Sequence, residues 1–345
     1  MLSDASLPVL IAIFAAAGAV ICLSGIRMTG IADRIADRTG LGEAIVGGVI
    51  LGAATSLSGT VVSVTAALDG RASLAFSNSI GGIAAQTAFL ALADLLFRKA
   101  NLEHAAAEVT NIFQGVLLMV LLMLPMAALT TPEWTLFAIH PASALILIAY
   151  VGGLFVSRIT REQPMWHPVR TRDTRTDAPE DEDDESARQS NLSLFGGFAL
   201  LMAVMGIAGW FIARSGSGIA DRVGLSDSLV GALMTAVVTS LPELVTTLAA
   251  VRRGALQLAV GGIIGGNTFD TLFLTAADTA YRDGSLYHAA GMQDYFWLTT
   301  AALMTAVLLG GLIVRERRGP AGIGVESVLM LAIYAGAIAI QTSTG

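Results

Sequence analysis

A chain of 345 residues with a formal net charge of −7, 54% hydrophobic and 14% charged residues and a mean hydropathy of +0.70 is too apolar for a water-soluble domain. One cysteine, Cys22, excludes an internal disulfide framework, and four scattered histidines offer no zinc spacing. No basic face recommends nucleic acid, and no Ser/His, paired-Asp or His/Cys set marks an intramembrane enzyme.

Apolar runs long enough to cross the hydrocarbon core as helices lie at about 7–26, 42–67, 73–97, 106–130 and 136–157. Five more follow at about 194–213, 227–251, 256–280, 293–314 and 322–341. The expected fold class is an all-α polytopic membrane protein with ten transmembrane helices. The first run has no basic residue ahead of it and reads as a membrane helix rather than a signal peptide. Glycines inside the runs let helices pack closely.

The one long polar stretch, Ile159 to Leu192, holds nine acids and five arginines, including the run Glu180 to Glu185. It cannot bury apolar area and is expected to be a solvated linker (159–192) between a first region (1–158) and a second (193–345). With that linker in the cytoplasm, alternate loops hold sixteen basic residues inside and four outside. That asymmetry obeys the positive-inside rule and places both termini outside, in a cell (inner) membrane.

Five spans on each side of the linker invert the second half relative to the first, and the halves are repeats. Gly30-Ile-Ala-Asp-Arg34 recurs as Gly218-Ile-Ala-Asp-Arg222, and at an offset of 184 Thr55-Ser56-Leu57 matches Thr239-Ser240-Leu241. Ile80-Gly81-Gly82 likewise matches Ile264-Gly265-Gly266, and Asp94 matches Asp278. Inverted-topology repeats with interrupted helices at matching places point to a transport site near the bilayer midplane.

Within the second repeat, Glu243 and Asp270 lie mid-span. An acid at that depth costs at least ~3 kcal/mol on insertion scales, so it marks an ion or proton path more often than a structural contact. Pro242 has no N–H for the carbonyl of Val238, and Thr239, Glu243 and Thr247 share one helix face. Hydroxyls, freed carbonyls and a carboxylate together suit a hard cation. Asp94 and Asp278 fall near span ends, where water is expected, and Glu43, Glu108 and Glu326 read as surface or interfacial charges.

Val238-Thr-Ser-Leu-Pro-Glu243, followed by Gly262-Ile-Ile-Gly-Gly-Asn-Thr-Phe-Asp270, resembles the α-repeat of sodium/calcium exchangers, in the calcium/cation antiporter superfamily. The resemblance covers nearly the whole chain and implies that Thr239, Ser240, Glu243 and Asp270 hold the ions. It further implies a core of spans two, three, seven and eight, across which long first and sixth spans slide. The first repeat departs from the pattern: it reads Thr55-Ser56-Leu57-Ser58-Gly59, with Gly59 where Glu243 would match, and Gln86 where Asp270 would. Its neutral oxygens, Thr55, Ser56 and Gln86, complete the candidate cation-ligating set.

Two acids give the site a charge of −2, which one Ca²⁺, two monovalent ions, or one ion and a proton would neutralise. The expected function is a secondary cation antiporter, Ca²⁺ against Na⁺ or H⁺. A monovalent Na⁺ or K⁺/H⁺ exchanger and a non-transporting ion sensor are the alternatives. No catalytic residue and no cofactor is expected; the partners are small cations and membrane lipid. Replacing Gly59 by Glu is expected to raise divalent affinity or to change the coupling ratio.

Overall fold

The computed structural model describes residues 5–39, 52–97, 99–174, 191–319 and 322–344. The Glu180–Glu185 acid run, Glu43 and the start of the second span fall outside them. Among the described residues the chain is helical with short connections, and the only β-type pairing is an isolated bridge between Leu136 and Ile139.

Two helices frame the rest. α1 (Leu7–Thr39) and α8 (Asn191–Val223) are each 33 residues long. At 1.5 Å per residue that is about 50 Å, well beyond a hydrocarbon core of ~30 Å, so helices of this length cross a bilayer tilted. They pack along each other more extensively than any other pair of helices. Both run past the spans expected at 7–26 and 194–213, because Arg27, Arg34, Arg214 and Arg222 sit on helical turns beyond the apolar stretch.

Between them lie the interrupted helices. α2 (Gly52–Thr55) and α3 (Leu57–Leu68) are separated by Ser56. α9 (Asp227–Thr239), which contains a π-helical turn at Val230–Thr235, and α10 (Leu241–Arg253) are separated by Ser240 and bent by 46°. Pro242 is therefore not the general cause of the interruption. The first half breaks at the matching serine although Ser58 stands where the second half has its proline. A tertiary contact is shared instead. Gly25 of α1 lies directly against the Pro242 ring, and Gly209 of α8 against Ser58, where a Cβ would come within 2.6 Å of the serine carbonyl oxygen. Each long helix thus crosses the other half's interrupted helix through a glycine, since no larger residue fits the approach.

α4 (Ala72–Leu96) is continuous and buried along nearly its whole length. Its small and polar residues, among them Ser77, Asn78, Ser79 and Gln86, make it the centre of the molecule rather than a lipid-facing helix. The matching stretch in the second half is split at Thr271 into α11 (Leu256–Asp270) and α12 (Leu272–Ala280). Exposed apolar side chains lie on the long helices α1 and α8 and on α6 (Val109–Leu129) and α7 (Pro141–Glu162) in the first half, and on α14 (Met292–Val314) and α15 (Val325–Thr344) in the second. Among the described residues seven helices are long and apolar enough to cross a membrane, or eight with the bent pair α9–α10.

Short helices, α5 (Leu102–Ala105) and α13 (Leu286–Ala289), cap the two ends. Here the structure corrects the sequence reading of Asp94 and Asp278, which are 1% and 0% exposed rather than close to water. Asp94 accepts hydrogen bonds from the amides of Leu102 (2.7 Å) and Gly324 (3.0 Å). Asp278 accepts from the amides of Leu286 (2.9 Å) and His140 (2.8 Å), and from the Ser143 hydroxyl (2.6 Å). Each carboxylate ties the cap eight residues downstream to the start of the last outer helix of one half, replacing water with backbone donors. Glu326 is likewise buried, at 7% exposure, and is not an interfacial charge.

On the side expected to face outward, Arg71 forms ion pairs with Asp221 (2.6 Å) and Asp227 (2.8 Å), and Arg214 with Asp69 (2.7 Å), tying the halves together. On the other side part of the polar linker is docked rather than solvated. Thr171 bonds His104, Arg315 donates to the Val169 carbonyl, and Arg317 pairs with Asp173.

Candidate cation-binding site

The helix breaks at Ser56, Ser240 and Thr271 converge in the middle of the bundle, and the carboxylate of Asp270 is their meeting point. Its Oδ1 accepts from Ser56 Oγ at 2.6 Å, and its Oδ2 from Gln86 Nε2 at 2.6 Å. The same amide nitrogen donates to Ser240 Oγ at 3.2 Å. The Asp270 carbonyl, left without an ordinary helical partner at the Thr271 break, accepts from Ser79 Oγ at 2.8 Å. A single acid therefore gathers groups from α2–α3, α4 and α9–α10. Gly82 of α4 faces the same point: a Cβ there would lie in ordinary contact with Ser240 Oγ, at 3.5 Å, and Asp270 Oδ2, at 3.8 Å.

Glu243 sits one turn past the Ser240 break and is 8% exposed. The Thr55 hydroxyl is within hydrogen-bonding reach of its carboxyl group, and Asp270 is close enough to act on it electrostatically. Among the described residues no basic side chain acts on either acid. Thr239 is buried beside them and donates back along its helix to the Thr235 carbonyl at 2.9 Å, which leaves its oxygen lone pairs available. All seven candidate residues, Thr55, Ser56, Gln86, Thr239, Ser240, Glu243 and Asp270, are thus buried in one region. Four of them form one hydrogen-bonded set around Asp270, and Thr55 reaches Glu243 beside it.

Among the described residues several oxygens in and around this set are buried without a hydrogen-bond partner: Glu243 Oε2, Gln86 Oε1 and Ser58 Oγ. Orphaned acceptors of this kind cost on the order of 1–3 kcal/mol each unless something electropositive satisfies them. A cation does so, and the acceptor set is all oxygen, as hard cations require.

A second network backs the first and is not legible in the sequence. Thr235 Oγ1 donates to Asn78 Oδ1 at 2.7 Å, while Asn78 Nδ2 donates to the Gly59 carbonyl at 3.0 Å and to Ser63 Oγ at 2.9 Å. Asn267 Nδ2 donates to Thr87 Oγ1 at 3.0 Å across α11 and α4. Isolated hydroxyls in apolar spans give no cue to such pairings; Asn78 does stand out in the sequence, with Gly262 at its place in the second repeat, but its partners do not.

The sequence profile described as "Sodium/calcium exchanger protein" matches residues 9–157 and 193–343, both halves and nearly the whole chain. The chain belongs to the sodium/calcium exchanger family. Its curated relatives include the putative antiporter CaxA of Alkalimonas amylolytica, 28% identical over 81% of this chain and 84% of that one. The inner membrane protein YrbG of Escherichia coli (strain K12) is 24% identical over 84% and 85%. Among solved structures the sodium-calcium exchanger NCX_Mj shares the fold, with a TM-score of 0.63 at 16% identity, covering 97% of this chain and 99% of that one. With its apolar helices, family membership makes the chain a multi-pass integral membrane protein. Its second half carries both central acids, and its first half carries Gly59 and Gln86 at the matching places.

Proposed function

We propose that this protein is a secondary active cation antiporter that exchanges Ca²⁺ for Na⁺ or H⁺ by alternating access. Its ten spans form two inverted five-helix repeats with both termini outside, and the ion sits between Glu243 and Asp270. One observation carries the reading. Two acids are buried at the junction of three broken helices, surrounded by neutral oxygens, with no basic partner among the described residues and with unsatisfied acceptors. A structural ion pair would supply its own cation, whereas a transport site leaves that position to the passenger. Neutral ligands come from Thr55, Ser56, Gln86, Thr239 and Ser240. Because Asp270 is held from both halves, a tilt of α1 and α8 over the breaks changes which side reaches it without dismantling the site. The relative named as an antiporter supports the class of activity.

The charge of the site favours a second reading. With Gly59 and Gln86 in the first half, only two carboxylates remain, which suits monovalent Na⁺ or K⁺ exchange against H⁺. Uptake of radioactive Ca²⁺ into proteoliposomes under imposed Na⁺, K⁺ or H⁺ gradients separates the two. Na⁺- or H⁺-driven Ca²⁺ uptake supports the first, while gradient-driven Na⁺ or K⁺ flux without Ca²⁺ movement supports the second. Binding without any flux would reject both and leave an ion sensor.

A further inference from the structure

Gly59 stands one turn after Ser56 on α3, as Glu243 stands one turn after Ser240 on α10. Residues three apart share a helix face, so a side chain at position 59 would start out toward the same Asp270 that Ser56 touches. That space is taken. A Cβ on Gly59 would lie 2.7 Å from Cε2 of Phe273, 3.2 Å from Cζ and 3.6 Å from Cδ2. The ring is 4% exposed and braced edge-on by Phe269 at 6.4 Å, which in turn packs on Tyr150 at 6.1 Å. Phe273 reaches this place because it lies just past the Thr271 break that follows Asp270.

We propose that Phe273 is the residue that fixes how many cations the site accepts: its ring plugs the first half-site opposite Asp270 and confines ions to the Glu243 side. This rests on the cation-site reading above. The plug excludes ions by filling the volume an acid would need with apolar ring carbons. The Gly59 carbonyl there is already committed to Asn78. The loss of the acid and the presence of the ring are thus one feature, and replacing Gly59 by Glu alone drives the new side chain into Phe273.

The test counts bound ions on the full-length protein. Radioactive Na⁺ binding per folded chain is measured by equilibrium dialysis for the wild type, Gly59→Glu, Phe273→Ala and the pair Gly59→Glu/Phe273→Ala. The steepness of Na⁺-dependent flux is measured alongside in proteoliposomes. The pair is expected to bind about one more Na⁺ per chain than the wild type and to show a steeper Na⁺ dependence, while Gly59→Glu alone gains nothing. Equal gains in Gly59→Glu and in the pair would overturn the plug, as would a folded pair that binds no more than the wild type. Should the glutamate pair not fold, Gly59→Asp/Phe273→Ala gives the same count, with a gain supporting the plug and no gain overturning it. A wild type that binds Na⁺ but shows no gradient-driven flux would reject transport while the binding count still decides the plug. A wild type that binds no cation would overturn both.

Discussion

The two halves of this molecule agree at their ends and disagree at their centre. At the ends, Asp94 and Asp278 occupy matched positions and do matched work, each gripping a backbone amide eight residues on and another at the start of an outer helix. At the centre, Glu243 faces its counterpart Gly59, Asp270 its counterpart Gln86, and Pro242 its counterpart Ser58. Contacts that hold the fold need the same chemistry twice, because both loops must have their amides satisfied wherever they lie. A cation's charge has to be balanced only once, in total, so its ligands need not be shared equally. The asymmetry at the centre is therefore free to set ion number and type while the ends keep the architecture.

That contrast is broken first at the ends. Asp278→Ala leaves two buried amides without an acceptor and takes one partner from the Ser143 hydroxyl, for an expected loss of about 4 kcal/mol. Asp94→Ala, with two amides to satisfy, should cost about 3 kcal/mol. Thermal unfolding in detergent reads both, and ion affinity per folded molecule should stay as in the wild type. If either variant lost ion binding while keeping its midpoint, the ends would belong to the site.

At the centre the expected signs reverse. Glu243→Gln keeps shape and burial, removes half the site's charge, and should lower flux by about 100-fold, or ~2.7 kcal/mol, with little change in unfolding midpoint. Asp270→Asn should be milder in ion affinity, about tenfold, because part of its charge is already spent on Ser56 and Gln86. It should be harsher in stability, by about 1–2 kcal/mol, since an amide oxygen cannot accept both donors in place of two carboxylate oxygens. Flux and unfolding measured on the same preparations would expose any variant that acts merely by misfolding.

The membrane class and the two mid-span acids are legible in the sequence because charge at that depth is rare on chemical grounds, whereas Thr239 and Ser240 enter the candidate set through the family resemblance. Asp270 can be named, but not its partners, since hydroxyls in apolar spans are common and only the fold decides which meet. Asp94, Asp278 and Glu326 mislead for a different reason: position in an apolar run measures depth along a helix, not burial by the loops that fold over its end. Phe273 is invisible, because a phenylalanine inside a span looks the same whether it faces lipid or closes a binding seat. Pro242 looks like the cause of a break that the first half achieves without it.

The smallest effect tests where even the ends diverge. Glu103 on α5 stands at the place of Tyr287 on α13, whose hydroxyl is satisfied by Ser143 at 2.8 Å. Among the described residues Glu103 has no such hydroxyl partner; its buried carboxyl lies beside Asp94 and within hydrogen-bonding reach of the Glu326 carboxyl. Burial first, then the nearness of those two acids, pushes its carboxyl well above the usual carboxylate range. The unfolded chain releases this proton at about pH 4.3 whereas the folded protein keeps it, so the folded state binds more protons above that pH and stability falls as pH rises. Glu103→Gln removes the titration while keeping the shape. Its unfolding midpoint should match the wild type near pH 4 and exceed it by a margin that widens toward pH 7. A margin that shrinks with pH would mean that Glu103 is ionised in the folded protein, and that this end of the molecule holds a charge its counterpart lacks.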